Sequence, residues 1–159
     1  MVKRSLGLTF LIMLLCMSIG FAKTNVDFAK EVQGEGQPVA LEDFWMGENP
    51  YVPSNTDLKI TFQNNDTRTV DAIDTYMLIY DNFGEPTYPN NATKNYFHLL
   101  FQEPIKPNKH KYCRWTLFFA SNVRKVKVLV RQVHFTNGDT WINKDFDKQL
   151  EDNLSSFNN

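Results

Sequence analysis

Apolar and polar residues alternate with a period of two along most of this chain. Leu58, Ile60 and Phe62 alternate with Lys59, Thr61 and Gln63, which predicts a strand with one face on a core and one in water. A longer strand follows over 70–81, with Ile73, Met77 and Ile79 on one face. Short apolar runs predict strands over 96–101, 111–119 and 125–136. In the last of these Val126, Val128 and Val130 oppose Lys125, Lys127 and Arg131, and β-branched residues dominate where the period is two. A first strand is expected over 39–45 and a final one over 140–142.

The breaks between these runs carry turn chemistry. Gly47, Pro50 and Pro53 interrupt the chain after the first strand, Asn64-Asn65-Asp66 supplies a turn, and Pro104 and Pro107 stop the strand that ends at Phe101. Asn137-Gly138 between two alternating runs predicts a tight hairpin of type I′. From 144 the period changes: Phe146, Leu150, Leu154 and Phe157 fall at spacings of four, four and three, which predicts a short amphipathic helix within 144–159. Asp145 and Asp147 favour its first turn through the helix dipole. Many short strands without a long internal helix predict an all-β, antiparallel β-sandwich over 38–143.

The N-terminal stretch obeys a different pattern. Lys3 and Arg4 precede an almost wholly apolar run from Ser5 to Phe21, and Gly20-Phe21-Ala22 places small residues at a cleavage site, so 1–22 is expected to be a signal peptide. An uncleaved anchor, or acylation at Cys16, would tie the chain to a membrane. Residues 23–37 are polar with Gly34 and Gly36 and are expected to form a flexible leader. Removing 22 of the 159 residues leaves 137, enough for one domain with its own core.

Processing also removes Lys3 and Arg4 from 17 basic residues while all 18 acidic ones stay, so the mature net charge is near −3. Nothing in that balance favours nucleic acid or an anionic membrane surface. Cys113 is the one thiol left, so no internal disulfide is expected and packing must supply stability. It shares a strand face with Trp115 and Leu117 and is expected to be buried.

No constellation announces a chemistry. His98, His110 and His134 sit on three different strands or strand ends without ligand spacing, and no Gly-x-Ser-x-Gly elbow or Cys and His cassette occurs. No catalytic residue, metal site or cofactor is therefore expected. Aromatic residues make up 14% of the chain, and Trp45, Tyr51, Tyr88 and Tyr96 cluster around the Pro-rich loops as candidate ligand contacts. For Trp45, Trp115 and Trp141 the competing role is that of core pillar. Asn65, Asn91 and Asn153 head Asn-x-Ser/Thr sequences, which matter only in a glycosylating pathway.

Met77-Leu78-Ile79-Tyr80-Asp81 followed by Gly84 resembles the FxLYD signature of small bacterial extracytoplasmic immunoglobulin-like domains, with Met and Ile in place of Phe and Leu. Ile60-Thr61-Phe62-Gln63-Asn64, Glu103-Pro104-Ile105-Lys106-Pro107, Trp115 and the run from Phe135 through Gly138 to Trp141 are similar to related families of unknown function. The resemblance covers roughly 57–142. It implies an immunoglobulin-like sandwich in a secreted, periplasmic or cell-surface setting and no catalytic residue. On this basis Met77 and Ile79 are expected to point inward, Tyr80 to bury its ring with a wet hydroxyl, and Asp81 with Gly84 to turn the chain out of the sheet. The functional expectation is an exported, non-catalytic binding or accessory module that contacts a protein or an envelope component. The alternatives are a carbohydrate-binding module using loop aromatics and an assembly protein that pairs through an edge strand.

Overall fold

A computed structural model describes residues 28–89, 92–118 and 122–158. The expected signal peptide over 1–22, with Cys16, and the acceptor Asn91 lie outside the described residues. The strands are β1 (Phe28–Val32), β2 (Val39–Glu48), β3 (Asn55–Asn64), β4 (Val70–Tyr80), β5 (Tyr96–Phe101), β6 (His110–Phe118), β7 (Lys125–Phe135) and β8 (Thr140–Ile142). A single helix, α1 (Phe146–Leu154), follows them.

Two sheets result. One has the order β2-β3-β6 and is antiparallel throughout. The other has the order β1-β7-β4-β5, with β8 also on β7. Strands β1 and β8 divide one edge of β7 between them: β1 pairs with Lys125 to Leu129, β8 with Gln132 to His134. The β1–β7 pairing is parallel, so the second sheet is mixed and the expectation of purely antiparallel pairing is corrected.

This strand lies within 23–37, the segment expected to be a flexible leader. Its residues alternate in destination, which a reading of composition does not register. Ala29 packs on the main core, and Phe28 meets Phe157 edge-on with ring centroids 5.6 Å apart. Glu31 then fastens the segment to β2: its Oε1 accepts from the Leu41 amide at 3.1 Å and from Gln37 Nε2 at 2.7 Å. The following turn is tight around Gly34, where an added Cβ would stand 2.8 Å from Asn143 Cγ. Asn143 cannot yield freely, because its Nδ2 donates to Val130 O and to Gln149 Oε1. Gly34→Ala is therefore expected to cost about 1–3 kcal/mol, as overpacking against a pinned group does, measured by urea unfolding.

One core is drawn from both sheets. Leu58, Ile60 and Phe62 of the three-stranded sheet join Ile73, Met77, Ile79, Phe101, Val126, Val128 and Val130 of the other, all essentially inaccessible to solvent. Phe62 and Phe101 meet edge to face across the gap between the sheets, with centroids 5.9 Å apart. The inward positions of Met77 and Ile79 follow the alternation seen in the sequence.

The opposite face of β4 and β7 is not wet. Leu78, Tyr80 and Leu129 form a second cluster with Phe146, and Leu150, Leu154 and Phe157 pack against it. This cluster is why α1 forms: its apolar stripe lies on residues that the two strands turn away from the main core. Tyr80 buries its ring as expected, but its hydroxyl is also enclosed and donates to the carbonyl of Asn153. Burial raises the pKa of that hydroxyl above the usual phenolic range. Lys127, on the same face, is likewise fully enclosed.

Two turns show how local chemistry was translated. Asp81 Oδ1 accepts from the amides of Phe83 and Glu85, and Gly84 adopts φ 89°, so this pair turns the chain as anticipated. At the β7–β8 hairpin only Gly138 has positive φ, at 90°, and its amide donates to Phe135 O. The two positive φ values of a type I′ turn are therefore not found, and one left-handed glycine suffices. Trp141 packs on the core and its Nε1 donates to Glu35 O at 3.3 Å, while Trp115 packs on the same core from β6.

Candidate functional site: an open groove on the three-stranded sheet

Directly opposed residues of an antiparallel pair share a face of the sheet, so the register of β2, β3 and β6 fixes what points outward. Leu58 pairs with Met46 and Trp115, and Ile60 with Phe44 and Cys113; these point to the core. Trp45, Lys59 and Arg114 therefore form a row on the outer face. Gly47, Asp57 and Thr116 form the next row, and Asp43, Thr61 and Tyr112 the row on the other side.

A groove of about 670 Å³ lies over these rows, lined by Asp43, Trp45, Asp57, Lys59, Arg114 and Thr116 among others. Trp45 lies along its own strand with the indole over Gly47: a Cβ at Gly47 would be 2.4 Å from Trp45 Cζ2 and 2.8 Å from Cη2. Glycine here is a requirement of close approach. Asp57 Oδ1 accepts from Asn49 Nδ2 and from Thr116 Oγ1, both at 2.9 Å, and Lys59 Nζ reaches Asp43 Oδ2 at 3.2 Å. Tyr112 is 52% exposed, with Lys59 Nζ 5.3 Å and Arg114 Cζ 5.5 Å from its ring centroid.

The aromatic candidates separate on this map. Trp45 is in the groove. Tyr51 is 90% exposed and follows Pro50, which lines the groove, so it stands at the rim. Tyr88 is 53% exposed in the β4–β5 connection. Tyr96 begins β5, partly buried against the helix-covered cluster, its ring centroid 5.3 Å from that of Tyr76. Tyr112 and Arg114 were not singled out from the sequence. The signal was there, since Tyr112 is an aromatic out of phase with Cys113, Trp115 and Leu117.

Titratable groups elsewhere form pairs. His98 Nε2 is 2.6 Å from Asp74 Oδ1, His134 Nδ1 is 2.6 Å from Asp71 Oδ1, and His110 Nδ1 is 3.2 Å from Glu42 Oε2. Each histidine has its own carboxylate, and among the described residues no group of three His, Cys, Asp or Glu side chains stands close enough to hold a metal ion. Cys113 faces inward but is half-buried, and burial raises the pKa of its thiol. Asn153 is buried and its Nδ2 donates to Gln149 O at 2.7 Å, so the folded chain closes this acceptor to a glycan, whereas Asn65 is exposed. No helix among the described residues is long and apolar enough to cross a membrane.

Fold and groove together define a β protein of two sheets with a docked C-terminal helix, one outer face covered and one open. The chain belongs to DUF5780, a family of unknown function, whose model matches residues 57–155, from β3 to the end of α1. A hypothetical protein from Peptoclostridium difficile 630, solved by X-ray crystallography, shares the fold with a TM-score of 0.61 at 12% identity. The match covers 76% of this chain and 92% of that one. No curated protein matches the chain.

Proposed function

We propose that this protein is an exported, non-catalytic binding module of immunoglobulin-like sandwich type that contacts an envelope component through the open face of β2, β3 and β6. The single observation that carries the reading is the contrast between the two outer faces. One is covered by α1 and the segment after it; the other presents Trp45, Lys59 and Arg114 in a groove, with Tyr112 exposed on the same face beside it.

The strand order supports the sandwich type. Taking β2 to β8 as strands A, B, C, C′, E, F and G, the sheets read A-B-E and C′-C-F-G, a Greek-key arrangement with β1 added beside F. The FxLYD-like run then falls at the end of strand C, with its Asp and Gly in the following turn. Export rests on the charged and apolar N-terminal pattern, and the non-catalytic reading rests on a sequence without a Gly-x-Ser-x-Gly elbow or a Cys and His cassette.

Co-sedimentation tests the reading. Purified residues 23–159 are expected to be retained by a cell-envelope preparation, and the doubly exposed variant Tyr112→Ser with Arg114→Ser is expected to stay in the supernatant. Equal retention of both proteins, or retention of neither, contradicts the assignment of the open face.

A further inference from the structure

We infer that the groove over β2, β3 and β6 is a saccharide site, taking a neutral, extended oligosaccharide of β-linked hexopyranoses. This rests on the reading of that face as the contact surface and adds the chemistry of what it contacts.

The indole of Trp45 is laid down along β2 because Gly47 has no Cβ to lift it. A pyranose presents axial C–H groups on its faces and hydroxyls around its edge, so it stacks on a flat ring while its rim seeks hydrogen bonds. Tyr112 supplies a second ring two strands away. With strands about 4.8 Å apart and a rise of about 3.4 Å per residue, the two α-carbons stand about 12 Å apart, diagonally across the face. A short oligosaccharide spans that diagonal, and two rings set apart on an open face suit an extended, β-linked chain better than a coiled one.

The acids of the lining are Asp43, Glu48 and Asp57, and the bases are Lys59 and Arg114. Much of that charge is answered internally, by Lys59 on Asp43 and by Asn49 and Thr116 on Asp57. An anionic polymer would face three carboxylates and a cationic one two fixed cations. A neutral polyol meets both donors and acceptors without a charge conflict.

At about 670 Å³ the groove falls within the range of small-ligand sites, about 300–1,000 Å³, whereas a stable protein contact buries surface over about 1,000 Å² or more. The scale of the depression favours a chain of a few sugar rings over a folded protein.

The test is titration of the full mature chain with cellohexaose and with chitohexaose, read by calorimetry and by tryptophan fluorescence. Saturable binding of one of them is expected, weakened about tenfold or more by Trp45→Ala, as for a central aromatic anchor. Gly47→Ala keeps every aromatic ring but drives Trp45 off the strand, and is expected to weaken binding as well. Tyr88→Ala, away from the groove, is expected to bind like the wild type. Urea midpoints confirm that the variants are folded. Absence of saturable binding to either sugar, or Trp45→Ala binding like the wild type, overturns the inference. Should the wild type bind neither sugar while envelopes still retain it through Tyr112 and Arg114, the saccharide is wrong and the contact face stands. Sugar binding without any envelope retention would sink the functional reading instead.

Discussion

Replacing Asn153 by leucine is expected to cost about 1.5–3 kcal/mol of folding stability, the usual penalty for taking a neutral acceptor from a buried charged donor. Lys127 is 0% exposed, and its Nζ donates to Asn153 Oδ1 at 2.5 Å and to Ser156 O at 3.2 Å. The rings of Phe157 and Tyr80 lie 5.3 and 5.7 Å from the ammonium. The leucine side chain leaves that ammonium in an apolar pocket without its nearest acceptor. Lys127→Met removes the charge but takes this donor from the neutral Asn153 Oδ1 and Ser156 O, and is expected to cost about 1–3 kcal/mol, whereas replacing both partners by apolar side chains can be nearly neutral. The double variant should then recover most of what Asn153→Leu alone loses. Urea unfolding of the four proteins closes the cycle; a wild-type midpoint for Asn153→Leu, or a double variant no better than that single one, refutes the account.

The same pair sets an alkaline signature. Burial, with Lys30 nearby, lowers the pKa of Lys127 below 10.5, so over the window between its folded value and 10.5 the unfolded chain holds more protons than the folded one. Stability therefore rises with pH across that window. For Tyr80 the sign reverses. Its pKa is raised above 10.0 by burial, so beyond that pH the unfolded chain ionises first and stability falls. Lys127→Met should flatten the rising limb and leave the falling one.

The elements with a clean period of two were legible in the sequence. Strands β3, β4, β5 and β7, the hairpin return at β8 and the stripe of α1 follow from side-chain alternation, because each buries one face on a neighbour. What escaped reading depends on partners distant in the chain. Strand β1 has no hydrophobic pattern of its own; it exists because β8 is only three residues long and leaves the first half of one β7 edge to be paired. The enclosure of Lys127 and the Tyr80 hydroxyl required knowing that α1 folds back over that face. A lysine opposite three valines reads as solvated until a helix covers it.

The groove was hidden for a related reason. Outward positions of half-buried strands are polar by default, so Lys59, Asp57 and Arg114 carry no local mark, and only register places them in rows. Trp45 was visible as an aromatic near a Pro-rich break, but the need for glycine at 47 appears only when the ring lies on it. This face is assembled from two consecutive strands, β2 and β3, and a third, β6, that comes from much further along the chain.

Deleting residues 143–159 is expected to abolish cooperative folding. Leu78 and Leu129 would lose the cover that makes them inaccessible, and Phe146 would be lost as their partner. At about 1.5–3 kcal/mol for each large apolar side chain, uncovering the two leucines alone removes about 3–6 kcal/mol. Exposing Tyr80 and the Val32 side of β1 adds to it, against a net stability of about 5–15 kcal/mol for a domain of this kind. Phe146→Ala is the graded version. Its ring stands 4.9 Å from that of Tyr76, and its loss is expected to cost about 3–5 kcal/mol. Circular dichroism, size exclusion and urea melts of both proteins provide the check. A truncated chain that unfolds cooperatively at the wild-type midpoint would mean that the helix is an ornament. The family match points the other way, since it runs through Ser155 and so includes the whole of α1. A structural helix closes the part of the β4 and β7 face that holds Leu78, Tyr80 and Leu129, and leaves the outer face of β2, β3 and β6 uncovered.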